Sequence, residues 1–275
     1  MDYRKHFHAE PGRRVRLAAV DSAYTDPQID KSHADAEVQS DNEKLFSLQY
    51  LLYAESRRSV LVVLQGLDAA GKDGTIRHVF SALNPQGARV HAFKTPNADE
   101  AAHDFLWRAH RPAPRRGEIV IYNRSHYESV LIERVHAMIS KPEWERRYGA
   151  INGFEKNLAQ SGTTILKFYL HMSEATQLKR FKRRLDDPER QWKISEADYT
   201  ERAHFSDYLT AYEELLERTS TEYAPWFIVP ADHKWFRNLA VSKIVVEALE
   251  GLNMQRPPVT VDLEEIRRKY HAASS

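Results

Sequence analysis

The stretch that most limits this chain runs from Val60 to Asp73, where VLVVLQ passes directly into GLDAAGKD. A short, continuous β-branched and aliphatic run suits a strand covered on both faces by other layers. Behind it, Gly66 to Lys72 fit the spacing G-x-x-x-x-G-K. Backbone amides that converge on phosphate oxygens need positions without a clashing Cβ. The helix expected from Gly74 to Ala82 turns its partially positive N-terminus towards the bound anion. Lys72 adds a mobile point charge. Three of the 10 glycines, Gly66, Gly71 and Gly74, lie in this segment. Gly66, Ala69, Ala70, Gly71, Asp73 and Gly74 are therefore candidate phosphate-binding positions. A strand-to-helix turn with chance glycines is the plainer reading, and the flanking strand and helix argue against it.

The loop departs from the usual phosphate-binding pattern in one informative way. Asp73 stands where a Ser or Thr hydroxyl would normally bind Mg²⁺, and a further carboxylate, Asp68, sits inside the loop. A carboxylate beside phosphates is repelled unless a divalent cation bridges the two. Asp68 is thus a candidate Mg²⁺ ligand, with Mn²⁺ as a substitute. Asp73 is equally well explained as a first-turn helix carboxylate favoured by the dipole.

A second strand-to-polar transition is Gly117 to Glu128, GEIVIYNRSHYE. In phosphate-loop proteins a carboxylate at this strand end helps hold the metal. Here the strand ends in Asn123, and Glu128 is the next carboxylate along. Glu128 is a second candidate metal ligand, or a helix-first-turn carboxylate. Arg124 presents five fixed donors and keeps its charge at neutral pH, so it is a candidate for facing phosphate. A surface salt bridge is its ordinary alternative.

The formal net charge is +1, from 40 Lys plus Arg against 39 Asp plus Glu. That excludes a globally basic nucleic-acid coat. The charge is nevertheless locally concentrated: five arginines and one acidic residue lie between Arg108 and Arg124, and seven basic and three acidic residues between Lys179 and Lys193. Such runs are usually solvated helix faces. Their position also fits a lid that brings arginines over a phosphorylated substrate, and Pro188 interrupts the helix where a hinge is needed. Lys94, after the second strand, is within the same reach.

Strands are expected at Val60–Gln65, Arg89–Phe93, Glu118–Tyr122, Thr164–Leu170 and Trp226–Val229. Helices are expected from Glu43 (Leu45, Leu48, Leu51, Leu52), at Asp99–Arg108, Tyr127–Met138, Pro142–Gln160 and Ser173–Leu185, and at Lys234–Leu252. Alternating strands and helices imply an α/β fold with right-handed crossovers and a five-stranded parallel sheet. The whole of 1–275 reads as one domain, with an N-terminal arm over 1–41, a lid over about 183–200 and a tail over 257–275. The chain has no cysteine, so thiolate chemistry and disulfides are excluded. No signal-peptide or membrane-spanning stretch is evident, and a cytoplasmic protein is expected.

Several segments taken together resemble the polyphosphate kinase 2 family: GLDAAGKDG, FKTPN (Phe93 to Asn97), HDFLWR (His103 to Arg108), NRSHYE (Asn123 to Glu128), RRLDDPERQWK (Arg183 to Lys193) and APWFIVPADHKWFRN (Ala224 to Asn238). The resemblance spans about Glu43 to Asn253. It implies a three-layer P-loop kinase fold with a helical lid, and Mg²⁺-dependent, reversible phosphoryl transfer between inorganic polyphosphate and nucleotides. Asn123-Arg124-Ser125 followed by Tyr127-Glu128 is similar to the third class of that family, which carries AMP to ADP to ATP and so regenerates ATP. The class-defining carboxylate has moved from position 123 to position 128. The resemblance carries the catalytic set Asp68, Lys72, Arg124 and Glu128, and assigns Asn123, Arg183, Arg184 and Lys193 to the lid and nucleotide site. A homo-oligomer, dimer or tetramer, is expected, and Trp235 and Phe236 suit either an interface or the core. No nucleic-acid or membrane partner is expected. An ATP-dependent nucleotide kinase and a non-catalytic nucleotide-binding module are the competing readings. The missing hydroxyl after Lys72 disfavours the first, and the extra carboxylates and arginine-rich lid disfavour the second.

Overall fold

The computed structural model describes residues 1–274. In chain order, α1 (Tyr3–Phe7) leads into β1 (His8–Ala9), and α2 (Lys31–Glu55) into β2 (Ser59–Gln65). Then come α3 (Lys72–Val79), β3 (Ala88–Ala92), α4 (Ala98–Ala101), α5 (Trp107–His110) and β4 (Ile119–Asn123). They are followed by α6 (Glu128–Val135), α7 (Lys141–Gln160), β5 (Thr163–His171) and α8 (Glu174–Asp186). The chain closes with α9 (Glu196–Arg202), α10 (Phe205–Thr219), β6 (Trp226–Pro230), α11 (Lys234–Glu250) and α12 (Leu263–Ala273).

The sheet order is β1-β6-β5-β2-β4-β3. β2 is central, and all seven of its residues are buried. Its side chains alternate between two cores: Val60, Val62 and Leu64 face one, Leu61 and Val63 the other. The first core packs α2 and α11 against the sheet, with Leu45, Leu52, Leu239 and Ile244 among its members. The second is closed by α6, α7 and α10. Three layers therefore form, as the doubly buried strand requires.

The expectation of five parallel strands needs one correction. A sixth strand, β1, pairs antiparallel with β6 through His8↔Phe227 and Ala9↔Trp226. It lies in the polar arm, and two residues are too few to show a period. The arm is anchored by buried Tyr3, Phe7 and Leu17. Phe236 is buried, meeting Tyr3 at a tilt and Phe7 and Tyr24 edge-on, so core packing accounts for it, while Trp235 packs half-buried against the same core.

Other boundaries move for identifiable reasons. α2 starts well before Glu43, because Asp30 caps it by accepting from His33 N at 3.0 Å. The single helix expected over 99–108 is two short ones, α4 and α5, broken where Asp104 Oδ1 accepts from Leu106 N at 2.9 Å. α9 and α10 lie between 196 and 219, where no element was expected. The tail holds α12, capped by Asp262 and exposed along its length. Among the described residues no helix is long and apolar enough to cross a membrane.

Candidate active site

The loop between β2 and α3 turns through Gly66 (φ 151°), Ala69 (φ 65°) and Gly71 (φ 107°). A Cβ on Gly71 would lie 1.8 Å from Nη1 of Arg237, and one on Gly74 3.1 Å from its Nη2. These two glycines thus leave room for a guanidinium beneath the loop as well as an anion above it. Lys72 is buried and folds back, donating from Nζ to Gly66 O at 2.6 Å and to Leu67 O at 3.3 Å. Burial, and then the charge of Arg124, pull its pKa down to about 8.

Arg124 follows β4 in the left-handed region (φ 61°). Backbone held this way is uncommon in a non-glycine residue. Its N–H donates to Leu64 O at 3.0 Å, tying it to the end of β2. Its guanidinium is shared by two carboxylates: Nη2 donates to Asp68 Oδ1, and Nη1 lies 3.3 Å from Glu128 Oε2. Burial alone would raise Asp68, but Arg124 and Lys72 hold its carboxyl below the usual range. Glu128 Oε1 is buried without a hydrogen-bond partner. Two converging carboxylates with a spare, desolvated oxygen are a donor set that fits a divalent cation. No group of three or more His, Cys, Asp or Glu among the described residues is placed to hold a metal alone. The carboxylates would have to share such an ion with phosphate oxygens.

Two cavities meet here. One, of about 540 Å³, is lined by eleven lysines and arginines against two carboxylates, Asp68 and Asp73. It contains Gly71, Gly74, Lys94, Asn123, Arg183, Arg184 and Lys193. Asn123, Arg183, Arg184 and Lys193, assigned above to the lid and nucleotide site, therefore all face the cationic space. Asn123 Nδ2 donates to Asp73 Oδ1 at 2.8 Å. Asp73 is also 3.9 Å from Lys193, so it braces the lid side of the loop. The other cavity, of about 700 Å³, has an apolar wall that includes Phe93, Pro96, Phe105, Ile132 and Tyr212. Asp68, Phe93, Lys94 and Arg124 line both. Ala69 takes part through its backbone: Ala69 O and Ala70 O accept from Arg180 Nη1 at 2.8 and 3.0 Å.

Three cations that the sequence reading passes over complete the charged wall. Arg180 reaches from α8 and Arg237 from α11, where Arg237 Nη1 donates to Ala70 O at 3.3 Å. Arg237 is almost wholly buried, and among the described residues it bonds no carboxylate, only Asn238 Oδ1 and that carbonyl. Burial and then Arg180 lower it to about 9. Lys234 is lowered to about 8 by burial, then by Arg180 and Arg183. Arg180 stands in the basic run from Lys179 to Lys193, and Lys234 and Arg237 both stand in the family-like segment Ala224 to Asn238, but none of the three was singled out.

A glycine-bounded loop between a central strand and a helix, a buried lysine beneath it and an arginine-lined lid above define a phosphoryl-transfer enzyme of the P-loop class. The profile of the Polyphosphate kinase 2 family matches residues 28–257. The chain is 47% identical over 263 residues, 95% of its own length and 98% of the relative's, to the AMP/ADP-polyphosphate phosphotransferase of Meiothermus ruber. It is 44% identical to the ADP-polyphosphate phosphotransferase of Rhodopseudomonas palustris, covering 93% of each. The crystal structure of polyphosphate kinase 2 from Arthrobacter aurescens TC1 superposes with a TM-score of 0.90 at 40% identity, over 96% of this chain and 98% of that one. The chain belongs to the polyphosphate kinase 2 family.

Proposed function

We propose that this enzyme transfers phosphoryl groups from inorganic polyphosphate to both nucleoside mono- and diphosphates, carrying AMP to ADP to ATP, reversibly. The observation that carries the reading is the junction at Asp68 and Arg124. A cavity with eleven cations meets, at that point, a cavity with an apolar wall. A polyanion suits the first, and a base and ribose suit the second. The name of the Meiothermus ruber relative covers both AMP and ADP, which supports the two acceptor levels.

The chemistry asked of the protein is positioning and charge compensation, since an acceptor phosphate is already nucleophilic. The loop amides from Gly66 to Gly74 cradle the transferring group. Lys72 leaves its loop carbonyls to meet it, and Arg124 lies at the meeting point of donor and acceptor. Asp68 and Glu128 would hold Mg²⁺, or Mn²⁺, together with substrate phosphates. When bound, the cation offsets the charge that builds on the bridging oxygens. Arg183, Arg184 and Lys193 close over the chain and exclude water.

The test is ATP formation from AMP, polyphosphate and Mg²⁺ with no ATP supplied. ADP followed by ATP is expected. ADP without ATP would remove the second acceptor level, and product formed only with ATP as donor would make the enzyme an ordinary nucleotide kinase.

A further inference from the structure

Two residues beyond Arg124 the chain enters a buried polar cluster that the phosphoryl chemistry leaves unused. Lys167, on β5, donates from Nζ to Glu155 Oε2 at 2.6 Å, to Tyr127 OH at 2.9 Å and to Thr219 O at 2.7 Å. Glu155, on α7, also accepts from Tyr127 OH at 2.8 Å and lies 3.1 Å from His126 Nε2. The side chains of Lys167, Glu155 and His126 are fully shielded from solvent. Burial keeps His126 below its ordinary range, hence neutral. A carboxylate can only accept, so its one proton sits on Nε2.

An ion pair placed in a core is a poor way to stabilise a fold. Replacing such a pair by apolar residues of similar volume is often neutral or favourable. Stability therefore does not account for it, and its attachments supply the reason. Oε1 of Glu155 meets His126 and Tyr127 directly, and Oε2 reaches Tyr127 through Lys167; these two residues are the middle of the turn whose flanks are Arg124 and Glu128. The same turn is gripped from the loop side, where Gln65 Nε2 donates to Ser125 Oγ at 3.0 Å. Gln65 is the residue before Gly66. The third bond of Lys167 reaches the last residue of α10, whose Tyr208 and Tyr212 line the larger cavity. One ammonium thus fixes the Arg124–Glu128 turn relative to a cavity wall.

We propose that the Glu155–Lys167 pair is a positioning device, acting through His126 and Tyr127 to hold Arg124 and Glu128 at the junction of the two cavities. The roles of Arg124 and Glu128 rest on the function proposed above; the positioning itself does not.

The test replaces the pair by apolar residues, Glu155→Leu with Lys167→Met. The double variant is expected to fold and melt somewhat lower, because His126 Nε2, Tyr127 OH and Thr219 O lose buried partners, and to keep KM for polyphosphate and nucleotide. Its kcat should fall roughly 10- to 100-fold, the effect of small misplacements of reacting groups. The Arg124 Nε–Hε resonance, assigned by its loss in Arg124→Lys, should shift or broaden whatever the substrate is. A folded double variant with unchanged kcat in an active enzyme, or with an unchanged Arg124 resonance, overturns the proposal. If the double variant does not fold, Tyr127→Phe keeps the ring and removes the hydroxyl shared by Glu155 and Lys167. It should reproduce the resonance change and lower kcat at unchanged KM, and an unaltered resonance in it overturns the proposal equally. An enzyme with no polyphosphate activity would count against the functional reading, while the resonance still decides the positioning.

Discussion

Gly71 lies so close to Arg237 that a single added methyl would sit 1.8 Å from the guanidinium nitrogen Nη1. Its backbone, at φ 107°, is also one that L side chains rarely adopt. Gly71→Ala should therefore lose stability by roughly 1–3 kcal/mol from backbone strain alone, and more from displacing Arg237. Thermal melting reads the first effect. Polyphosphate KM reads the second and should rise, because Arg237 lines the cationic cavity.

Lys72→Met should separate function from stability. The pKa of Lys72, held near 8 by burial, means that its charged form is disfavoured in the fold. Removing it should leave Tm unchanged or higher. Turnover should fall about 100- to 1,000-fold, the usual loss when one charge-stabilising donor is removed. Near-normal turnover in a folded variant would remove Lys72 from the site.

Binding of polyphosphate should take up protons at alkaline pH. Lys72 and Lys234 sit at about 8. A polyanion raises both, so protons are bound above about pH 8 and few at pH 7, where the two amines are already charged. Calorimetry in two buffers of different ionisation enthalpy measures this directly. The sign for folding follows from the same shift. Between its folded value and the ordinary value of 10.5, Lys72 binds more proton when unfolded, so its penalty on stability is full below pH 8 and is relieved as pH rises.

Asp68→Asn and Glu128→Gln should each raise the Mg²⁺ concentration needed for half-maximal rate about tenfold or more, within the range seen for lost metal contacts. A Mg²⁺ titration at saturating polyphosphate checks it. An unchanged Mg²⁺ requirement in both variants would remove these carboxylates from metal binding.

Salt should act unequally on the two substrates. The cavity proposed for polyphosphate is lined by eleven lysines and arginines, while the other has four beside its apolar wall. Raising ionic strength through the physiological range shortens the screening length to about 8 Å. KM for polyphosphate should climb much more steeply than KM for nucleotide.

The central strand, the phosphate loop, Arg124 and Glu128 were legible because each is a contiguous string with its own local physics. The lid arginines were legible as charge density placed to cover a phosphorylated substrate, and Arg183, Arg184 and Lys193 do line the cationic cavity. Arg237 and Arg180 were not singled out, because they reach the loop carbonyls across 167 and 111 positions of sequence, and spacing says nothing at that range. β1 was invisible for a different reason: two residues carry no period, and its pairing is decided by the exposed edge of β6. α10 is a third case. Its buried Tyr208, Ala211, Tyr212, Leu215 and Leu216 stand at plain helical spacing, so the signal existed and the expectations above passed over it.

The lysine that folds back on Gly66 O and Leu67 O gives the loop a threshold. Two peptide oxygens already hold the ammonium, and an incoming anion must outcompete them to draw it away. A singly charged ion offers little more than those dipoles do. A run of linked phosphates offers several charges at once, and the neighbouring cations add to its pull. The strand-to-helix turn is thus expected to favour anions of high charge density, by a margin set by what its lysine would otherwise be holding.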